Sequence, residues 1–298
     1  MPELRLPQGT LTYQATGPDD SPYPPVVFIH GFLVDGRLWT DVAARLAAEG
    51  VRCYLPDLPL GSHRLPMNPD ADLSPRGLAA MIDRFLQELG LEDVTLVGND
   101  TGGALCQFTV DAHPERVGRL VLTNCDAFDK FPPPPFGALV AAARYPAVTR
   151  TLLVPMRTTR LRHSPLGFGL LARSFDAELT LDWLRPAIEN PAIRADIARF
   201  ARGVKPADLL EISTRLNEFK RPVKIVWGEA DRVFKPEFGR RLAQAFPNSS
   251  YLGLPGSRTF VSLDAPSELA AELREFADAG TPGLTPKVSS PHGGSVQS

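Results

Sequence analysis

A chain of 298 residues with 43% apolar content can bury a sizeable core, and its length suits one elaborated domain better than two unrelated ones. A formal net charge of -2 and a pI near 6.2 give no electrostatic reason to expect nucleic acid or membrane partners, which leaves a small molecule as the expected partner. Cys53, Cys106 and Cys125 are widely spaced in apolar segments, a pattern of buried thiols in a reducing compartment, and no metal-ligand spacing occurs.

The start of the chain lacks the basic and apolar regions of a signal peptide, and no apolar run reaches membrane-spanning length, so a cytoplasmic location is expected. Residues 4–14 alternate weakly around Gln8-Gly9, which predicts an antiparallel hairpin at the edge of a sheet. After a turn-rich connector at 18–25, Val26, Val27, Phe28 and Ile29 form a continuous apolar run, as in a strand covered on both faces. This run ends in His30-Gly31-Phe32. A small residue and backbone amides thus fall at a strand's carboxyl end, where open α/β sheets hold their ligands. Residues 35–49 place Leu38, Trp39, Val42 and Leu46 on one helical face, with Gly50 as terminator. A strand at 51–55 and a loop at 56–63 follow. Ser74-Pro75 then starts a helix that buries Leu78, Ile82, Phe85 and Leu89 and closes at Gly90.

The next stretch, Leu96-Val97-Gly98-Asn99-Asp100-Thr101-Gly102-Gly103-Ala104-Leu105, reads as a nucleophile elbow. Strand spacing precedes it and helical spacing follows, in Ala104, Leu105, Phe108 and Val110. Gly98, Gly102 and Gly103 supply the small residues that such a joint needs. The central position is Asp100 where serine is usual. Covalent chemistry there is attack by a carboxylate on an electrophilic carbon, giving an alkyl or acyl ester. A plain strand-to-helix turn with Asp as N-cap is the alternative. Residues 117–123 form another buried strand, and the βαβαβαβ alternation predicts a parallel sheet with helices on both faces.

At Asn124 the alternation breaks. Residues 126–135, ending in four prolines, are expected to be a stiff extended connector. Helical segments are expected at 136–145, 177–190, 192–203 and 207–219, so residues 126–220 are read as an inserted helical cap. Between 130 and 175 lie seven Lys or Arg and no acid, most simply a solvated or ion-paired face and otherwise an anionic substrate port. The sheet resumes at 222–228, and Asp231 lies just past that strand's carboxyl end. A helix at 236–246, a strand at 250–254, a loop at 255–264 and a helix at 266–279 complete residues 1–125 and 221–279 as the core. Residues 280–298, rich in Pro, Ser and Gly, are expected to be a disordered tail.

With the His30-Gly31 strand, the Asp100 elbow, a helical insertion after the next strand and Trp227-Gly-x-x-Asp231, the chain resembles the α/β-hydrolase superfamily over residues 4–279. The aspartate elbow resembles the haloalkane dehalogenase and epoxide hydrolase branch. The resemblance implies a mostly parallel eight-stranded sheet flanked by helices. It also implies that Asp100 is the nucleophile, that the N–H groups of Phe32 and Thr101 form the oxyanion hole, and that Asp231 orients a histidine base. The family places that histidine in a Gly-x-x-His-Phe setting. Here the text is Gly256-Ser257-Arg258-Thr259-Phe260, and no histidine occurs between His163 and His292. A threonine hydroxyl does not take up a proton near neutral pH.

Further departures concern the leaving group. The dehalogenases' usual donors, a Trp after the nucleophile and an Asn after His-Gly, correspond to Thr101 and Phe32. The epoxide hydrolases' cap tyrosines are represented by Tyr145 alone, which is expected to pack at a helix end. Candidate surrogates or substrate contacts are His30, Asp126, His63 and Trp183, with His63 expected to be exposed in its loop. His163 is a further candidate for ligand contact. Three readings follow. The first is a cofactor-free, epoxide-hydrolase-like enzyme acting on a small, mostly apolar electrophile. The second is a non-hydrolytic lyase, cyclase or rearrangement enzyme using Asp100 as acid or base. The third is a catalytically silent binding protein.

Overall fold

The computed structural model describes residues 1–134 and 136–278. Eight strands form one sheet: β1 (Glu3–Leu6), β2 (Gly9–Thr16), β3 (Val26–Ile29), β4 (Cys53–Pro56), β5 (Val94–Asp100), β6 (Val117–Cys125), β7 (Val223–Gly228) and β8 (Ser249–Leu254). Their spatial order is β1-β2-β4-β3-β5-β6-β7-β8. β1 and β2 form the antiparallel edge expected from the opening alternation, and β2 pairs antiparallel with β4. From β4 onward every pairing is parallel. The all-apolar β3 and the mostly apolar β6 are buried at every residue, because helices cover both faces of a parallel sheet.

The connecting helices are α1 (Thr40–Ala48), α2 (Pro75–Glu88) and α3 (Thr101–Ala112). Ser74 caps α2 through a bond from the Gly77 N–H, with Pro75 in the first turn. Beyond β6 the chain runs through α4 (Phe136–Ala143), α5 (Pro146–Leu153), α6 (Thr159–Arg162), α7 (Ala177–Glu189), α8 (Pro191–Gly203) and α9 (Pro206–Ser213) before returning to β7. α10 (Pro236–Ala245), α11 (Val261–Asp264) and α12 (Pro266–Asp278) complete the described fold. The tail expected at 280–298 lies outside the described residues. No described helix is long and apolar enough to cross a membrane.

The insertion differs in places from the sequence expectation. α5, opened by Pro146, falls in a stretch where the arginines obscured the apolar period. The helix expected at 207–219 stops at Ser213, and a single 3₁₀ turn, Leu216–Glu218, follows. Residues 126–134 do not form a uniformly extended rod. Ala127 pairs with Lys130 across a tight turn in which Phe128 has φ 56°. Tyr145 precedes α5 and is 63% exposed, so it does not pack as expected.

Polar contacts fasten the insertion to the sheet. The indole N–H of Trp183 donates to Asp35 Oδ1 at 3.0 Å, and Ser62 Oγ donates to the Trp183 carbonyl at 2.7 Å. Arg37 bridges Asp35 and Asp182. Asp196 of α8 accepts from the Met67 N–H at 2.9 Å and pairs with His63 at 3.0 Å. Phe200 stacks on Phe32 with ring centroids 5.8 Å apart.

Candidate active site

The site begins where β5 turns into α3. Asp100 has φ 53° and ψ -131°, a conformation that costs a non-glycine residue on the order of 1–3 kcal/mol. The surroundings hold it there. A Cβ placed on Gly98 would come within 2.7 Å of the Gly103 Cα, so strand and helix meet at a distance that only glycine permits. A Cβ on Gly31 would overlap Asp100 Oδ2. This absence of a side chain lets the Phe32 N–H reach Asp100 Oδ2, to which it donates at 3.1 Å. The Thr101 N–H also favours the ionised carboxylate. Burial works against these two amides and is the larger influence, with the Asp231 charge adding to it, so the Asp100 carboxyl is pushed up to about 7.

Asp100 opens onto a cavity of about 290 Å³ between the sheet edge and the insertion. Most of the lining is apolar, including Phe32, Leu139, Leu153, Met156, Phe168 and Leu184. Asp100, Thr101, Asp126 and Arg162 supply the charged and hydroxyl groups. Leu152 and Leu166 line it too, yet are 40% and 78% exposed, which marks the mouth. An apolar cavity with a few convergent polar groups is the usual form of a small-molecule site.

The position at which the family keeps its histidine lies apart from this cavity. Thr259 is fully buried and does not line the cavity. Its hydroxyl donates to Asp231 Oδ2 at 2.8 Å. The same oxygen accepts from Asn124 Nδ2 at 2.7 Å, while Asp231 Oδ1 accepts from the N–H groups of Val233 and Phe234 at 2.7 and 3.1 Å. Four donors therefore satisfy Asp231 without a base. Burial still outweighs them and pushes its carboxyl up to about 6.

Asp126 is the opposite case. It is 1% exposed, and among the described residues its carboxylate oxygens make no well-formed hydrogen bond, the Thr101 hydroxyl being the one polar side chain near enough to favour their charge. Burial, reinforced by the charge of Asp100, pushes its carboxyl well above the usual range, with the Thr101 hydroxyl a weaker opposing influence. Burial in this position favours the protonated form of the carboxyl.

The remaining sequence candidates lie away from the cavity. His30 Nε2 accepts from the Leu58 N–H at 2.8 Å, Nδ1 lies 2.9 Å from the Gly31 carbonyl, and burial pushes the ring down to about 4. It is a neutral brace for the loop behind the elbow. His63 is buried, contrary to the expected exposure, because Asp196 of the insertion covers it and holds its Nε2. The Trp183 N–H is committed to Asp35 and does not face the cavity. His163 bonds Thr180 at 2.8 Å and packs on Phe175 instead of a ligand space.

Three residues of the site were not singled out from sequence. Asn124 clamps both Asp231 and the β7 end, accepting from the Gly228 N–H at 2.6 Å. Asn99 donates to Thr123 Oγ1, the Asn124 carbonyl and the Thr259 carbonyl at 2.9, 3.0 and 2.7 Å. A polar residue inside an all-buried strand was the available signal for both. Arg162 is 1% exposed and lines the cavity. Its Nε donates to Thr180 Oγ1, and its terminal nitrogens to the carbonyls of Met156, Arg157 and Ala177 and to Thr159 Oγ1. No carboxylate partners it in these contacts. The neighbouring basic residues are dispersed: Lys130 pairs with Asp129, and Arg157 with Glu189.

Residues 24–266 match the α/β hydrolase fold family. Among curated proteins, the chain is 28% identical to the cis-3-alkyl-4-alkyloxetan-2-one decarboxylase of Xanthomonas campestris pv. campestris, covering 90% of this chain and 92% of that one. It is 27% identical to haloalkane dehalogenase 2 of Mycobacterium bovis, covering 86% and 89%. Among solved structures, haloalkane dehalogenase DbeA from Bradyrhizobium elkani superposes with a TM-score of 0.74 at 19% identity, covering 93% of this chain and 96% of that one. With the expected sheet and the aspartate elbow both in place, the chain belongs to the α/β-hydrolase fold family and is related to the haloalkane dehalogenases within it.

Proposed function

We propose that the protein is a cofactor-free enzyme in which Asp100 attacks a carbon of a small, mostly apolar electrophile of the epoxide or ester kind, forming an ester on the enzyme. The observation that carries this reading is Asp100 itself. A strained carboxylate has one oxygen held by the Phe32 amide at 3.1 Å and opens onto an apolar cavity of about 290 Å³. The amides of Phe32 and Thr101 would stabilise the oxyanion that forms when the ester is later attacked. A binding protein has no use for backbone strain at this position. The proposed cap, residues 126–220, supplies most of the apolar wall, and three buried free thiols support a reducing, cytoplasmic setting.

The test is intact-protein mass spectrometry after incubation with a panel of epoxides, alkyl halides and activated esters. The expected result in the wild type is a mass increase equal to the whole reagent for an epoxide, and to the transferred alkyl or acyl group without its leaving group for the others, with none in Asp100→Asn. An equal increase in both proteins would remove Asp100 from the nucleophile's role. A second reading, non-hydrolytic ring opening or elimination with Asp100 as acid or base, is favoured by Thr259 in the base position. It is also supported by similarity to a protein described as an oxetanone decarboxylase. Turnover of a β-lactone to alkene and carbon dioxide, without an adduct and without incorporation of water oxygen, would select it.

A further inference from the structure

We infer that Asp126 is the proton carrier of the site, delivering its proton to the departing oxygen in the first half of the reaction and receiving one from water in the second. It thereby replaces the histidine. This inference rests on the nucleophilic reading of Asp100. The geometry behind it is that Asp100 and Asp126 line the same cavity, while Thr259 and Asp231 form a closed pair outside that lining. Asp126 makes no well-formed hydrogen bond at 1% exposure and has only the Thr101 hydroxyl nearby, so fixed protein groups do not tie up its carboxyl as they do that of Asp231. Asp126 follows β6 directly, and its N–H lies 3.4 Å from the Asp100 carbonyl, which fixes the two residues against each other.

The steps balance. With an epoxide, an Asp100 carboxylate oxygen bonds to a ring carbon as the carbon–oxygen bond breaks, and the released alkoxide takes the Asp126 proton. Asp100 is then a neutral hydroxyalkyl ester and Asp126 a carboxylate. Water next attacks the Asp100 carbonyl carbon while Asp126 accepts its proton, and the oxyanion forms against the Phe32 and Thr101 amides. Collapse releases the diol, whose departing oxygen takes a proton from Asp126 or solvent, and proton exchange with solvent restores the starting pair. At each resting stage the pair carries one negative charge, so no second charge has to be placed in a largely apolar cavity. That is the economy of two close carboxyls sharing one proton.

The arrangement also ranks substrates. An oxygen leaving group needs the Asp126 proton, whereas a halide departs without one. Epoxides are therefore the class matched to both halves of the cycle, and alkyl halides only to the attack.

The experiment uses the full-length protein with styrene oxide and 1-bromohexane, comparing wild type with the isosteric Asp126→Asn, and reads ester formation and ester release by rapid-quench mass spectrometry. In the variant, attack on 1-bromohexane is expected to proceed, while release of the hydroxyalkyl ester formed from styrene oxide slows by roughly 10²- to 10⁴-fold, the usual contribution of a general base. Attack on styrene oxide should slow as well. In wild type, single turnover in ¹⁸O-water should place label in the Asp100 carboxylate, and ester release should be slower in D₂O, a measurement that needs no variant to fold. Unchanged release in Asp126→Asn, or equal wild-type release in the two waters, overturns the role of Asp126 and leaves Asp100 as nucleophile. Failure of wild type to form an ester with, or consume, either reagent overturns both.

Discussion

Two loops at the carboxyl edge of the sheet each carry an aspartate, and the two are treated in opposite ways. Past β7, Asp231 is met by four donors, Thr259 among them, and does not line the cavity. Past β6, Asp126 makes no well-formed hydrogen bond, has only the Thr101 hydroxyl nearby, and lines the cavity. A carboxylate satisfied by fixed donors holds a loop in shape, and one left without partners in a low-dielectric space is poised to exchange a proton. The contrast teaches that two carboxyls at neighbouring strand ends of one sheet can be held in opposite ways, one fixed by a ring of donors and the other left facing a largely apolar cavity.

The sharpest way to break this comparison is to exchange the expected phenotypes of the two aspartates. Asp126→Asn should slow turnover of an epoxide by roughly 10²- to 10⁴-fold, with no loss of stability in a denaturant titration, because the amide has no existing acceptor bonds to disturb. Asp231→Asn should do the reverse. Its amide would turn a donor toward donors, costing about 1–3 kcal/mol in the same titration, while ester release changes far less than in Asp126→Asn. Equal kinetic defects in the two variants would show that Asp231 still serves catalysis.

A stability gain of roughly 1–2 kcal/mol is expected for Asp100→Asn alongside its loss of ester formation, since strained, desolvated groups at working sites commonly trade stability for activity. The gain should depend on pH. A carboxyl raised from 3.8 to about 7 binds its proton more tightly when folded than when unfolded. Its contribution is fully present below about pH 4 and is lost as pH rises through about 7. The advantage of Asp100→Asn, measured by urea unfolding, should therefore widen from pH 4 to pH 7 and level off above. His30, pushed down to about 4, acts in the opposite sense, losing stability as pH falls from about 6.5, and it is common to both proteins. The smallest effect is expected for Thr259→Ala. Loss of one of four donors to Asp231 should cost about 1–2 kcal/mol, with ester release reduced less than about tenfold, well below the factor for a lost general base.

The parallel sheet and the elbow were legible because they rest on local signals, namely the apolar run of Val26–Ile29, the alternation of strands and helices, a capped start at Ser74-Pro75 and glycines crowded around Asp100, whereas the strand order, set by long-range pairing, was not. The site was legible only in part. Asp126 could be nominated from its place at a strand end, but its lack of partners is a property of packing and has no trace in the sequence. The fates of His63 and Trp183 depend on Asp196 and Asp35, residues 133 and 148 positions away. Asn99 and Asn124 were visible as polar interruptions in buried strands, yet what they bind is set by the register between strands.

The triple bond of Asn99 to Thr123, Asn124 and Thr259 has a consequence for how new specificities arise. It ties the ends of two strands and the loop past β8 into one plate, with Asp231 and Asn124 locked behind it. Substitutions within that plate disturb several buried partners at once and are not independent of one another. In the far wall the side chains of Leu139, Leu152, Met156 and Leu166 form no hydrogen bonds, so one apolar shape exchanges for another at small cost. Under laboratory selection for a new substrate, accepted changes should therefore gather on the helical wall, leaving the plate as the inherited part of the enzyme.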